Sequence, residues 1–209
     1  MLRFLLPLLL APLALAACAE RDDIPAPPPE TAITVAAEDP QDAWWAHMTT
    51  HCNEAFEGGL SVAPPGDEML RGDELLLVHF RECSDEQLRL PFHIETAEGE
   101  WDRSRTWIFT RHDDRIELRH DHRTPEGEPD ENTMYGGFTQ TPGTAIQQVF
   151  IFTDYDEYDP AGPHRGWRVE IEPGVRYTYG TFRGDDWRWR VDFDLSQAVP
   201  PPPAPWGHE

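Results

Sequence analysis

The chain has 209 residues, 39 acidic against 17 basic, and a formal net charge of −22. All 17 basic residues are arginine, so nucleic-acid and polybasic-lipid roles are excluded by charge, because phosphate binding needs a dense cationic surface. Residues 42–196 are long enough for one domain with a proper core.

The first segment in chain order is an address. Residues 1–17 carry one charge, Arg3, and then an apolar run broken by Pro7 and Pro12, too short to span a bilayer but fitting a secretory signal. The run ends Leu15-Ala16-Ala17-Cys18, which resembles the lipobox of bacterial lipoproteins. That resemblance implies that Cys18 becomes the acylated first residue of the mature chain. Ala19, where that family uses Asp for inner-membrane retention, implies an outer-membrane anchor facing the periplasm. Multiple acyl chains make such an anchor stable. Residues 18–41 are rich in Pro, Ala and acid without periodicity, and read as a disordered tether.

Residues 42–56 place Trp44, Met48, Cys52 and Phe56 on one helical stripe, with Gly58-Gly59 as the expected stop. Cys52 and Cys83, the only cysteines besides Cys18, are expected to form a disulfide in an oxidising compartment. Alternation of period two then takes over. Strands are predicted over 75–83, 87–95, 145–153, 167–172, 176–183 and 187–195, with Pro91 demanding an edge or a bulge. In the last of these, Trp187, Trp189, Val191, Phe193 and Leu195 read as one face. Gly184-Asp185-Asp186 supplies its hairpin turn.

The stretch 103–137 concentrates the chemistry. A two-residue turn at Asp113-Asp114 would pair Arg111 with Ile116, Phe109 with Leu118, Trp107 with His120 and Arg105 with His122. One face then starts apolar and ends in Arg105, His120 and His122, while Thr106, Ile108, Arg119 and Asp121 form a mixed solvent face. Arg105, Trp107, His120, His122 and Tyr135 are therefore the candidate ligand-binding residues. The competing reading is that nearby carboxylates satisfy the two histidines, which then only build wall. No catalytic residue is assigned. Asn132 to Gly137 reads as a Gly-rich loop, whose paired glycines allow either unusual dihedrals or close approach.

The fold expected is mainly β: an antiparallel meander of seven or eight strands forming a closed or nearly closed barrel with one N-terminal helix, similar to the lipocalin type. A sandwich or jelly roll is the alternative. His120-x-His122-x3-Glu126 resembles half of the cupin metal motif, and Pro160-Ala161-Gly162-Pro163-His164 the start of its second half. That resemblance implies a divalent metal on His120, His122, Glu126 and His164, and a metal-dependent enzyme. Residues 102–107, 120–123 and 133–137 together resemble uncharacterised secreted bacterial proteins and imply no activity. The acidic run 154–159 reads as a solvated loop despite its calcium-like alternation. Residues 197–209, rich in proline, are expected to form an extended disordered tail.

The leading expectation is thus an outer-membrane lipoprotein binding a small polar ligand or an envelope partner, with no cofactor required. A structural envelope protein is the third reading.

Overall fold

The computed structural model describes residues 38–63, 70, 72–152 and 164–209. The anticipated address, most of the tether, and the stretches 154–159 and 160–163 lie outside them.

Helix α1, Pro40–Thr49, is the first element. Asp39 caps it by accepting from Gln41 N at 2.7 Å, and Pro40 occupies the first turn, where a missing N–H costs nothing. It ends seven residues earlier than the stripe predicts. The hydroxyls of Thr49 and Thr50 both bond back to the Ala46 carbonyl, and Asn53 turns the chain at φ 68°. The chain then enters β1, Ala55–Val62, so Gly58-Gly59 lies in a strand and does not stop a helix. Gly58 is needed there because a Cβ would sit 2.3 Å from the Asp192 carbonyl oxygen. Sheet pairing on both sides of β1 overrides the local helical spacing.

The remaining strands are β2 (Leu76–His79), β3 (Glu82–Cys83), β4 (Gln87–Glu95), β5 (Trp101–Arg111), β6 (Ile116–His122) and β7 (Tyr135–Thr139). They are followed by β8 (Gln147–Phe152), β9 (Arg165–Glu172), β10 (Arg176–Arg183) and β11 (Asp186–Asp194). Each pairs antiparallel with its neighbours, β11 returns to β1, and β2 pairs with both β1 and β4. The result is a closed, lipocalin-like barrel of ten antiparallel strands, to which the short β3 adds an eleventh. Closure removes the open edges that a sandwich would leave. Pro91 is not at an edge: it falls opposite the break between β2 and β3, where the ladder needs no donor, and its partner strand β5 carries a bulge just beyond it.

The β5–β6 hairpin has the expected register, Arg105↔His122 through Arg111↔Ile116. Its turn is closed by His112 N donating to the Arg115 carbonyl. Asp113 and Asp114 make it without positive φ, which among the described non-glycine residues belongs only to Asn53 and Met134. The stretch read as a Gly-rich loop contains β7. Gly136 and Gly137 serve close approach there, since a Cβ would lie 1.8 Å from Leu118 O and 2.0 Å from Ile151 O.

Helix α1 covers one barrel end. Trp44 is fully buried, edge-on to Phe109 and Phe150, and Trp45 Nε1 donates to the Ser84 carbonyl at 3.1 Å. Arg111 pairs with Asp42 on the helix. The expected disulfide, Cys52–Cys83, ties the helix exit to β3 across a separation of 31 residues. On the chain-entropy account a loop of that size is worth about 3–4 kcal/mol.

The proline-rich C-terminus is extended, as read, but docked on the outer wall at β5 and β6 and not disordered. Prolines offer acceptors and no donors, so the wall supplies the donors. Arg103 Nη1 donates to Ala204 O at 2.6 Å, and Arg81 Nη2 to His208 O at 2.7 Å. Trp206 N donates to Arg103 O, and His208 Nε2 meets Asp121 Oδ2 at 2.8 Å. This covers the face expected to be solvated: Thr106, Ile108 and Asp121 are all buried. Asp121 also holds Arg123 at 2.8 Å and faces Arg89 at 3.7 Å. Burial alone would raise its carboxyl, but hydrogen bonds from Arg123 and His208 keep it below its ordinary value.

Candidate functional site

Strands alternate inward and outward, so β5 aims Arg105, Trp107 and Phe109 into the barrel while β6 aims Ile116, Leu118, His120 and His122. Phe109, Ile116 and Leu118 lie toward α1 and are filled in. Arg105 and His122 lie six positions away along the strands, about 20 Å at strand rise. There the barrel holds a cavity of about 560 Å³, at the end opposite the helix. All five candidate residues, Arg105, Trp107, His120, His122 and Tyr135, line it.

The floor is aromatic and tightly fixed. Trp107 is stacked between Phe92, with centroids 4.9 Å apart at 12°, and Tyr179, 3.9 Å apart at 25°. His120 stacks on Tyr135 at 4.7 Å and 7°, with Trp167 also 4.7 Å away. His120 Nδ1 lies 3.0 Å from the Tyr135 carbonyl, which can only accept, so that nitrogen carries the proton. His120 Nε2 is then the acceptor of the hydrogen bond that the Tyr179 hydroxyl donates. Every member is satisfied. Burial pushes the His120 pKa down to about 3, despite the Tyr135 carbonyl bond, so the ring stays neutral. Burial also pushes the Tyr179 hydroxyl well above its ordinary range.

His120 is therefore wall as well as lining: its partners are aromatic and backbone groups, not carboxylates. Its hydrogen bonds leave it no lone pair for a metal or a substrate proton. His122 is the freer ring. Its backbone N–H donates to Thr133 Oγ1 at 2.8 Å, and its Nε2 lies 3.3 Å from the Tyr135 hydroxyl. Burial first, and then the Arg105 charge, lowers its pKa.

The alternative metal set does not assemble. Both His120 nitrogens are committed, Glu126 is exposed in the turn after β6, and His164 is exposed at the entry to β9. Among the described residues no group of three or more His, Cys, Asp or Glu is placed to hold a metal ion.

Two bulges shape the mouth. On β5 one sets Asp102 opposite Ile94 and lets it meet Arg105 Nη1 at 2.7 Å. Burial would raise the Asp102 carboxyl, but bonds from Ser104 and the Arg105 charge hold it down. The other bulge lies on β11, where Thr181 pairs with Trp189 but Phe182 pairs with Trp187. Arg188 is the extra residue, and it turns to line the cavity. Trp187 is thereby moved off the Trp189 face on which its spacing places it. It lies against Arg168 at 4.8 Å and Arg190 at 5.4 Å.

Sequence reasoning missed Phe92, Trp167, Tyr179, Trp189 and Arg188 as lining. The four aromatics sit at alternating positions of predicted strands, but only strand pairing aims them at one space. Arg188 carries no signal short of the bulge itself. Compared with protein-family models, with curated proteins and with solved structures, the chain matches none of them.

Proposed function

We propose that this chain is a lipid-anchored binding protein of the cell envelope, held at the periplasmic face of the outer membrane by acylated Cys18, with a small molecule seated in the barrel end opposite α1. The membrane partner is reached through the anchor, and the −22 charge of the chain keeps the domain off anionic surfaces. The observation that carries the binding reading is the cavity itself. About 560 Å³ lies within the ~300–1,000 Å³ typical of small-molecule sites, and its walls are rigid aromatic side chains with a few polar groups at the mouth. That makes the ligand more apolar in body than composition suggests.

The test has two arms. Radiolabelled palmitate should enter the wild-type chain in cells and fail to enter Cys18→Ser. Thr181→Trp places an indole in the cavity, so envelope small-molecule extracts should change the tryptophan fluorescence of the wild type saturably and leave the variant unresponsive. A response equal in both proteins would move binding away from the cavity.

A further inference from the structure

Five side chains around the cavity, Arg105, Arg188, Trp107, Trp167 and Trp189, can only donate. Trp189 lines it, is 7% exposed, and its indole N–H is buried without a hydrogen-bond acceptor. A buried orphan donor costs about 1–3 kcal/mol, so it marks a place where an acceptor belongs. The neighbouring residue, Arg188, is swung to the mouth by the β11 bulge, and among the described residues it has no ion pair. Arg183, likewise without an ion pair among the described residues, adjoins it across a groove that shares Trp167, Thr181 and Arg188 with the cavity. Arg105 stands across the mouth, neutralised by Asp102. In a chain of net charge −22, most of its cations are expected to be taken by carboxylates. Among the described residues, Arg188 and Arg183 are left without a carboxylate beside an aromatic chamber.

On the strength of the binding reading above, we infer that the ligand class is a flat acidic amphiphile: a ring-bearing body held among the aromatic walls, with its carboxylate or comparable anionic group at Arg188 and its nearest oxygen within reach of Trp189 N–H. An acidic oxygen accepts from both an indole and a guanidinium, and with the guanidinium the bond is charge-assisted and about twice as strong as with a neutral acceptor. A neutral polar body would satisfy Trp189 but leave the Arg188 charge uncompensated. A cationic one would meet Arg105 and Arg188 unfavourably. Asp130, at the same rim, opposes any second acidic group on the far side, which favours a ligand with a single anionic end.

The test uses two isosteric probes, naphthalene-1-acetate and naphthalene-1-acetamide, titrated calorimetrically into the full chain. A charge-assisted hydrogen bond predicts that the acid binds about tenfold more tightly than the amide. In Arg188→Gln that preference should fall to within about threefold, and in Arg183→Gln it should fall less. Near-ultraviolet circular dichroism checks that each variant keeps its aromatic packing. Equal affinity for acid and amide in the wild type overturns the anionic class while leaving the cavity a binding site. An acid preference that survives both Arg188→Gln and Arg105→Gln overturns the assignment of the arginines. Binding of neither probe, with no effect of Thr181→Trp on any extract, overturns the binding reading and this inference with it.

Discussion

His120 and Tyr179 meet across the barrel from β6 and β10, their rings 6.0 Å apart at 62°, with the tyrosine hydroxyl hydrogen-bonded to the histidine Nε2. The pair joins two strands that are not neighbours in the sheet. It also locks the floor of the cavity, because Trp107 is stacked on the Tyr179 ring and His120 is anchored on the Tyr135 carbonyl.

Tyr179→Phe removes the hydroxyl while keeping the ring. It orphans the buried His120 Nε2, which then has no donor. Urea unfolding should show a loss of about 1–3 kcal/mol at pH 7. A loss under about 0.5 kcal/mol would mean that water replaces the hydroxyl.

His93 shares the acid response with His120. It points outward from β4 but is fully buried, and neither ring nitrogen has a hydrogen-bond partner. Burial, and then the Arg103 charge, lowers its pKa to about 4. The unfolded chain takes up this proton near pH 6.5, and the folded chain only near pH 4. Between those values the unfolded state binds more protons, so stability falls as pH falls through that window. At pH 4.5 the penalty from this one residue is about 3 kcal/mol. His93→Leu should therefore lose about that much less than the wild type between pH 7.5 and pH 4.5, read from urea midpoints. Parallel losses in the two proteins would show that His93 reaches solvent and titrates normally.

The C-terminal segment hangs on Asp121. Asp121→Ala leaves Arg123 and Arg89 facing each other without their shared carboxylate, at about a quarter exposure each. Solvent screening trims the cost, which we place at about 2–3 kcal/mol. His208→Ala removes only the tail's hold on that carboxylate and should cost about 1 kcal/mol or less. It should nevertheless speed amide exchange at Trp206, whose N–H is donated to Arg103 O, by about fivefold or more. Unchanged exchange would show that the arginine bonds to Ala204 and His208 carbonyls hold the segment by themselves.

Local pattern alone determines a good deal here. The alternation of β4 and β10 matches their observed bounds, the β5–β6 register follows from the Asp113-Asp114 turn, and the Cys52–Cys83 pairing follows from cysteine count. Four cavity residues, Arg105, Trp107, His120 and His122, are also legible, because an inward face that turns from apolar to polar is a local property of one hairpin. What tertiary structure decided are features with no local signature. The helix gives way at Thr49 because β1 gains two strand partners there. Gly136 and Gly137 form strand and not loop because neighbouring backbones press within reach of a Cβ. Thr106 and Asp121 on the outer wall are buried where a proline-rich segment finds the Arg81 and Arg103 donors beside them. Above all, one extra residue in β11 turns Trp187 outward and brings Arg188 to the mouth, a change invisible to period-two reading because a bulge breaks the period itself.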